Sequence, residues 1–164
     1  MSEITHDFVL TTIAPVLQKL GLDRFRMQAA EELLLGTALQ ESDLIYRHQL
    51  NQGPALGLFQ MEPATHDDIW TNFLAYHPAM AEILRQIAVT EPHSALLATN
   101  DAYAAAMCRV HYWRMGQMVG GEPLPVAGDL MGMAAYWKRF YNTSKGGGNT
   151  AKFIAAWRAH EAGV

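Results

Sequence analysis

Glu41 follows Ala38 and Leu39 at the end of an apolar stretch, immediately before the chain leaves its helical pattern. A carboxyl group partly shielded at such a place is disfavoured as an anion, so its pKa rises. An acid that stays protonated near neutral pH is what general-acid cleavage at a sugar oxygen needs. One loop later come Gly57, Leu58, Phe59 and Gln60, ahead of Pro63. A glycine there lets backbone approach a ligand without side-chain interference. Gln60 offers both a donor and an acceptor to an amide or a hydroxyl. Taken alone these signals are weak, because a glutamate near a helix end followed by serine is common.

Glycoside cleavage ordinarily takes two carboxylates, and the sequence is poor in partners for Glu41. No acidic residue lies between Asp43 and Glu62. Asp43 is two positions from Glu41, and such neighbours on a helix point in different directions. Glu62 is a possible second acid that positions a water, although a glutamate in the first turn beside Pro63 is also an ordinary helix start. The seven histidines form no His-Glu-x-x-His motif, and the single Cys108 allows no cysteine-rich metal spacing. His66 with Asp67 and Asp68 is the nearest cluster and reads as helix-terminal capping. No metal and no cofactor are expected. Cys108 reads as a buried inert thiol. Gly146, Gly147 and Gly148 follow Lys145 without phosphate-loop spacing and read as a flexible helix connection. Arg109, His111, Tyr112, Trp113 and Arg114 suit a sugar cleft by residue type, but half of them must face the core.

The elements that hold these residues are nearly all helical. Val9, Ile13, Val16, Leu17 and Leu20 share one face of a helix over Phe8 to Leu20, stopped by Gly21, and Pro15 kinks or divides it. A second helix is expected from about Asp23 to Gln40, with Phe25, Met27, Ala30, Leu33, Leu34 and Ala38 as apolar positions and Glu31 and Glu32 on a solvated face. Leu35 and Leu39 widen its stripe and make it the most buried helix. Residues 44–60 read as a small hairpin or an irregular loop around Asn51-Gln52-Gly53-Pro54. Pro63 opens a helix running towards Tyr76. Ala79 to Val89 form another, and Pro92 to Ala98 add a turn or two. Asp101 to Met118, Asp129 to Tyr141 and Thr150 to Ala162 complete an all-α single domain spanning residues 1–164.

Composition limits the alternatives. A chain of 164 residues, 50% hydrophobic and 17% charged, supports one well-filled core. Its formal net charge of −4 supplies no basic field to gather nucleic acid. No apolar run approaches the roughly 20 residues that span a bilayer, so no membrane insertion is expected. The start, Met1-Ser2-Glu3-Ile4-Thr5-His6-Asp7, lacks the basic-then-apolar order of a secretory signal. One cysteine fits folding in reducing cytoplasm.

Glu41-Ser42, then a loop, then Gly57-Leu58-Phe59-Gln60-Met61-Glu62-Pro63-Ala64-Thr65 resembles the signature of the soluble lytic transglycosylases, which share the lysozyme-like superfamily fold with goose-type lysozymes. The family pattern is Glu-Ser, a loop ending in Gly-Leu-Met-Gln, two residues, and Pro-Ala-Thr. Phe59 stands where the family has Met. The block covers 25 residues, and the rest of the chain agrees as a helical pattern. A third family block, Tyr-Asn and a glycine, is matched more loosely by Tyr141-Asn142 and Gly146 across a longer gap.

The resemblance implies that Glu41 is the catalytic acid and base, that Ser42, Phe59 and Gln60 contact substrate, and that Tyr141 lies near the scissile sugar, with Tyr136 as its rival. It also implies peptidoglycan glycan strands as substrate, cut between N-acetylmuramic acid and N-acetylglucosamine. Goose-type lysozymes resemble this chain in carrying an acid at the place of Glu62. The expected reaction is anhydro-forming transglycosylation. The alternatives are lysozyme-type hydrolysis and an inactive virion structural module of the same fold. Without an export signal, a phage protein is the economical expectation. It would be made in the host cytoplasm and reach the periplasm or wall as a virion or tail component, or after holin release, although a bacterial protein exported by a dedicated machine is an alternative.

Overall fold

Ser2 caps the first helix, its hydroxyl accepting from the Thr5 backbone N–H, so α1 (Glu3–Phe8) begins upstream of the apolar periodicity that starts at Phe8. A computed structural model of the chain describes residues 2–142 and 148–161, the side chain of Asn51 aside. Pro15 has no N–H to donate to the preceding turn. The chain accommodates it with a π-helical turn, Val9–Ile13, in which the Ala14 N–H reaches back to the Val9 carbonyl. The helix is thereby divided, and α2 (Ala14–Leu20) ends on Gly21 in the left-handed region at φ 65°.

Helix α3 (Met27–Ser42) is the centre of the molecule. Ala29, Ala30, Leu33, Leu34, Leu35, Gly36, Thr37, Ala38 and Leu39 are all buried. A helix apolar on nearly every side belongs in the interior. It packs against α2, α7 (Asp101–Met118), α8 (Leu130–Trp137) and α9 (Thr150–Glu161). Gly36 permits the last of these contacts, since a Cβ there would overlap the Phe153 ring of α9. Thr37 spends its hydroxyl on the Leu33 carbonyl at 2.7 Å and on the Tyr112 hydroxyl of α7 at 2.8 Å.

The expected start of this helix at Asp23 is corrected to Met27. Asp23 is instead the buried partner of Arg109, whose Nε and Nη2 donate to its two oxygens at 2.8 and 2.7 Å. Holding that carboxylate against α7 keeps residues 22–25 in a turn, and it leaves Phe25, expected as an apolar contact, fully exposed. Glu31 and Glu32 are partly buried rather than fully solvated. Glu32 accepts from Gln28 at 2.9 Å and from the Gly128 N–H at 2.6 Å.

The remaining helices are α4 (Pro63–Asn72), α5 (Pro78–Ala88) and the short α6 (Leu96–Thr99). Helix α4 stops short of Tyr76 because Phe73 leaves the helical conformation, its ring lying 4.1 Å from His77 and 5.0 Å from Trp113. His66 is not a helix-end cap. It sits on the inner face of α4, with Nε2 2.7 Å from the Tyr103 hydroxyl, which also accepts from Trp70 Nε1 at 2.9 Å. Helix α7 has its expected bounds, capped by the Asn100 side chain. Helix α8 is shorter than expected, because Asp129 caps it and a π-helical turn, Lys138–Asn142, follows Trp137. Residues 44–60 contain no strand; they hold a 3₁₀ turn, Leu50–Gln52, and isolated antiparallel bridges that pair Leu56 with His48 and Met61. Lys145, Gly146 and Gly147, and with them the glycine of the looser third block, lie outside the described residues.

Asp23 and Arg109 are each 5% exposed, so removing one partner strands the other's charge. Asp23→Ala is expected to cost about 3–5 kcal/mol by urea denaturation. The double replacement Asp23→Ala, Arg109→Met should cost less than Asp23→Ala alone.

Candidate active site

Three segments meet around Glu41: the last turn of α3, the turn Gly57–Gln60, and the end of α8 with its π turn. Each junction is a hydrogen bond. Trp137 Nε1 donates to Glu41 Oε1 at 2.9 Å. The Ser42 hydroxyl lies 2.7 Å from the Leu58 carbonyl, to which it donates. The Tyr141 hydroxyl donates to the Phe59 carbonyl, also at 2.7 Å.

Burial pushes the Glu41 carboxyl up to about 7, and the Trp137 indole pulls back in the other direction by stabilising the anion. The carbonyl end of α3 opposes a negative charge there as well. No neighbouring carboxylate contributes to the shift among the described residues. Glu41 therefore keeps a substantial protonated fraction at neutral pH and remains able to give up that proton. The indole fixes which oxygen is committed and leaves Oε2 as the oxygen for proton exchange.

The turn beside it is held in a demanding conformation. Gly57 has φ 75°, and a Cβ there would overlap the Leu97 carbonyl oxygen, so only glycine fits. Gln60 has φ 47°, and Asp43 and Leu44 have φ 54° and 57°. Three side-chain-bearing residues in the left-handed region thus flank Glu41 in sequence or in the facing turn, the kind of local strain that collects at functional sites. The surrounding hydrogen bonds maintain it: Met61 and Leu56 exchange backbone bonds, and the Gln60 N–H donates to the Gly57 carbonyl.

The residues expected to contact a substrate divide into two groups. Ser42 is 3% exposed and Phe59 is 1% exposed, so both build the wall of the site rather than its surface. Ser42 also donates back to the Ala38 carbonyl at 3.1 Å, and Phe59 packs on Phe8 with ring centres 6.4 Å apart. Gln60 is partly exposed; its amide nitrogen donates to the Gly57 carbonyl at 2.8 Å and to the Tyr46 carbonyl at 3.3 Å, leaving its oxygen as an acceptor. Tyr141 is partly exposed, and the Glu41 charge helps raise its phenol pKa, although burial is the larger cause. Tyr136 lies elsewhere, donating to the Glu122 carbonyl at 3.3 Å and feeling Arg109 and Asp23 instead. Of the two tyrosines, Tyr141 is the one joined to this site.

Glu62 is exposed at the N-cap of α4 and makes no side-chain capping bond. Asp43 is engaged with His160 of α9 at 2.7 Å. Cys108 is a buried free thiol whose pKa burial pushes upward, an environment without a reactive thiolate. Among the described residues no group of three metal-ligating side chains forms. Among the described residues no helix is long and apolar enough to cross a membrane.

Trp137 is the site residue that sequence reasoning missed. It reads as one more core aromatic in an apolar helix, and it is fully buried. The available signal was its spacing: Trp137 and Tyr141 are four apart, which on a regular α-helix would put both on one face. Comparison with known proteins finds no match among family models, curated proteins or solved structures.

A raised carboxyl pKa means that the folded chain holds this proton more tightly than the unfolded chain does. The stability it contributes is fully present below the unfolded value of 4.5 and is lost as pH rises through about 7. Glu41→Gln keeps the oxygen that accepts from Trp137 and removes the titration. It should match the wild type near the unfolded value and exceed it in stability above neutrality, by up to roughly 3 kcal/mol, in urea titrations across that pH range. Ser42→Ala leaves the buried Leu58 carbonyl without its donor. A loss of about 1–3 kcal/mol is expected, with little change in KM for any ligand of the site.

Proposed function

We propose that this chain is a peptidoglycan lytic transglycosylase with Glu41 as its single acid/base. The observation that carries the reading is a desolvated carboxyl with a pKa of about 7, held by an indole N–H, with Tyr141 and the Gly57–Gln60 turn beside it. The resemblance of the Glu41–Thr65 block to that family supplies the substrate class, and the reading extends to the lysozyme-like fold.

Glu41 protonates the glycosidic oxygen between N-acetylmuramic acid and N-acetylglucosamine, and the bond to the anomeric carbon breaks. The muramoyl N-acetyl oxygen stabilises the positive charge that develops. The Glu41 carboxylate then takes the proton of the sugar's own 6-hydroxyl, whose oxygen closes onto the anomeric carbon. A 1,6-anhydro ring forms, and Glu41 is returned protonated. A pKa near neutrality serves both steps, because the group must give up a proton and recover one within a single cycle. No second carboxylate is needed, since the nucleophile belongs to the substrate. This fits a site in which Asp43 is paired with His160 and Glu62 stands at an exposed helix start. Access to the wall would come through a phage particle or its tail, or through release at lysis.

The deciding experiment is mass spectrometry of the soluble products from purified peptidoglycan. The expected outcome is anhydromuramoyl products from the wild type, reduced by about 10²–10⁴-fold in Glu41→Gln. Reducing-end products would instead assign hydrolysis and bring Glu62 forward as the base. No products from the folded wild type would leave the inactive structural module. Trp137→Phe removes the bond that favours the anion, so the alkaline limb of its pH–rate profile should move upward from about 7.

A further inference from the structure

The acid/base reading leaves one polar neighbour of Tyr141 unused. His111 of α7 meets the Tyr141 ring edge-on, with centres 5.4 Å apart. Its Nδ1 is buried without a hydrogen-bond partner, while the residue keeps part of its surface exposed. Nε2 is therefore the polar edge turned towards solvent. One turn further along the same helix, Arg114 pairs with Asp68 of α4 at 2.5 Å and stays 17% exposed.

Burial and the Arg114 charge hold the His111 imidazole well below its usual range, at about 4, with Asp68 opposing them. The ring is thus neutral at working pH and carries one proton. A buried N–H without an acceptor is rarer than a buried lone pair without a donor. The proton accordingly belongs on Nε2, and the exposed edge is an N–H donor. Arg114 adds further N–H groups beside it, its charge balanced by Asp68. The His111 edge and Arg114 offer donors while the half-exposed Asp68 carboxylate repels a second anion, so the pair selects an uncharged oxygen acceptor over a carboxylate.

We propose that His111, with Arg114 beside it, forms a subsite for an amide carbonyl oxygen of the glycan strand, Nε2–H donating to that oxygen. This rests on the reading of Glu41 as the point of cleavage, and it makes His111 a specificity residue for the sugar adjoining the scissile bond. The amide is either the N-acetyl group of a sugar or the first amide of a peptide stem, and the probes separate the two.

The test uses the full chain with Glu41→Gln, so that glycan binds without turnover. Long-range proton–nitrogen spectra of the imidazoles are recorded alone, with an N-acetylglucosamine oligomer, and with an N-lactoyl stem peptide, which carries that first amide. The expected result is an Nε2–H tautomer for His111 whose Nε2 signal moves with the oligomer; movement with the peptide alone assigns the stem amide instead. An Nδ1–H tautomer overturns the proposal. So does an unmoved His111 signal when the Trp137 indole signal shows that glycan has bound. In the Glu41 enzyme, His111→Phe should raise KM about tenfold, the loss of one hydrogen bond, with an unchanged pH profile, and His111→Gln should recover most of it. Equal losses in the two variants, confined to kcat, would mean a packing role and overturn the subsite. Failure of the wild type to cleave counts against the Glu41 reading alone, because the spectra register binding without turnover.

Discussion

The structure turns on a carboxyl group kept away from water at the end of a helix that is itself buried. Leaving Glu41 ionised there works against desolvation and against the carbonyl end of α3, and one indole N–H is the counterweight. The balance leaves the acid near neutrality instead of at either extreme. A fully exposed glutamate would be ionised and unable to act as an acid. One buried without a donor would hold its proton too firmly to act as a base.

Every other feature of the site serves to maintain that environment. Ser42 and Tyr141 each use a hydroxyl to fix a carbonyl of the Gly57–Gln60 turn, one from α3 and one from beyond α8. The turn can therefore hold Gln60 in a left-handed conformation beside the acid. The π turn after Trp137 changes the helical phase, so that the indole and the Tyr141 phenol, which would stack one above the other on a regular helix, can bond to different segments. Further out, the Asp23–Arg109 pair ties the start of α3 to α7 and so sets how α3 lies against the helix that carries His111 and Tyr112.

Much of the architecture was legible in the sequence because helix periodicity and its breakers are local. Pro15 had to interrupt a helix, Gly21 had to end one, and the helical spacing from Asp101 to Met118 marked α7. The misreadings share a cause. Asp23, His66 and Phe25 were assigned from their neighbours in sequence, whereas their positions are decided by partners far along the chain, or by the lack of one. Asp23 answers to Arg109, His66 to Tyr103, and Phe25 is displaced outward when Asp23 is drawn in. The burial of Ser42 and Phe59 was equally illegible, because a motif gives residue types and spacing but not which atoms face solvent.

By itself the sequence determined an all-α chain around one exceptionally apolar helix, with Glu41 at its end and a glycine-bounded turn one loop later. Those follow from spacing and from backbone rules that act within a few residues. The degree of Glu41's desolvation, the choice of Trp137 as its donor and the choice of Tyr141 over Tyr136 were decided only by the tertiary structure. Desolvation depends on every segment that excludes water from a point in space, and hydrogen bonds between distant segments depend on how helices are set against one another. Neither is carried by any short stretch of chain.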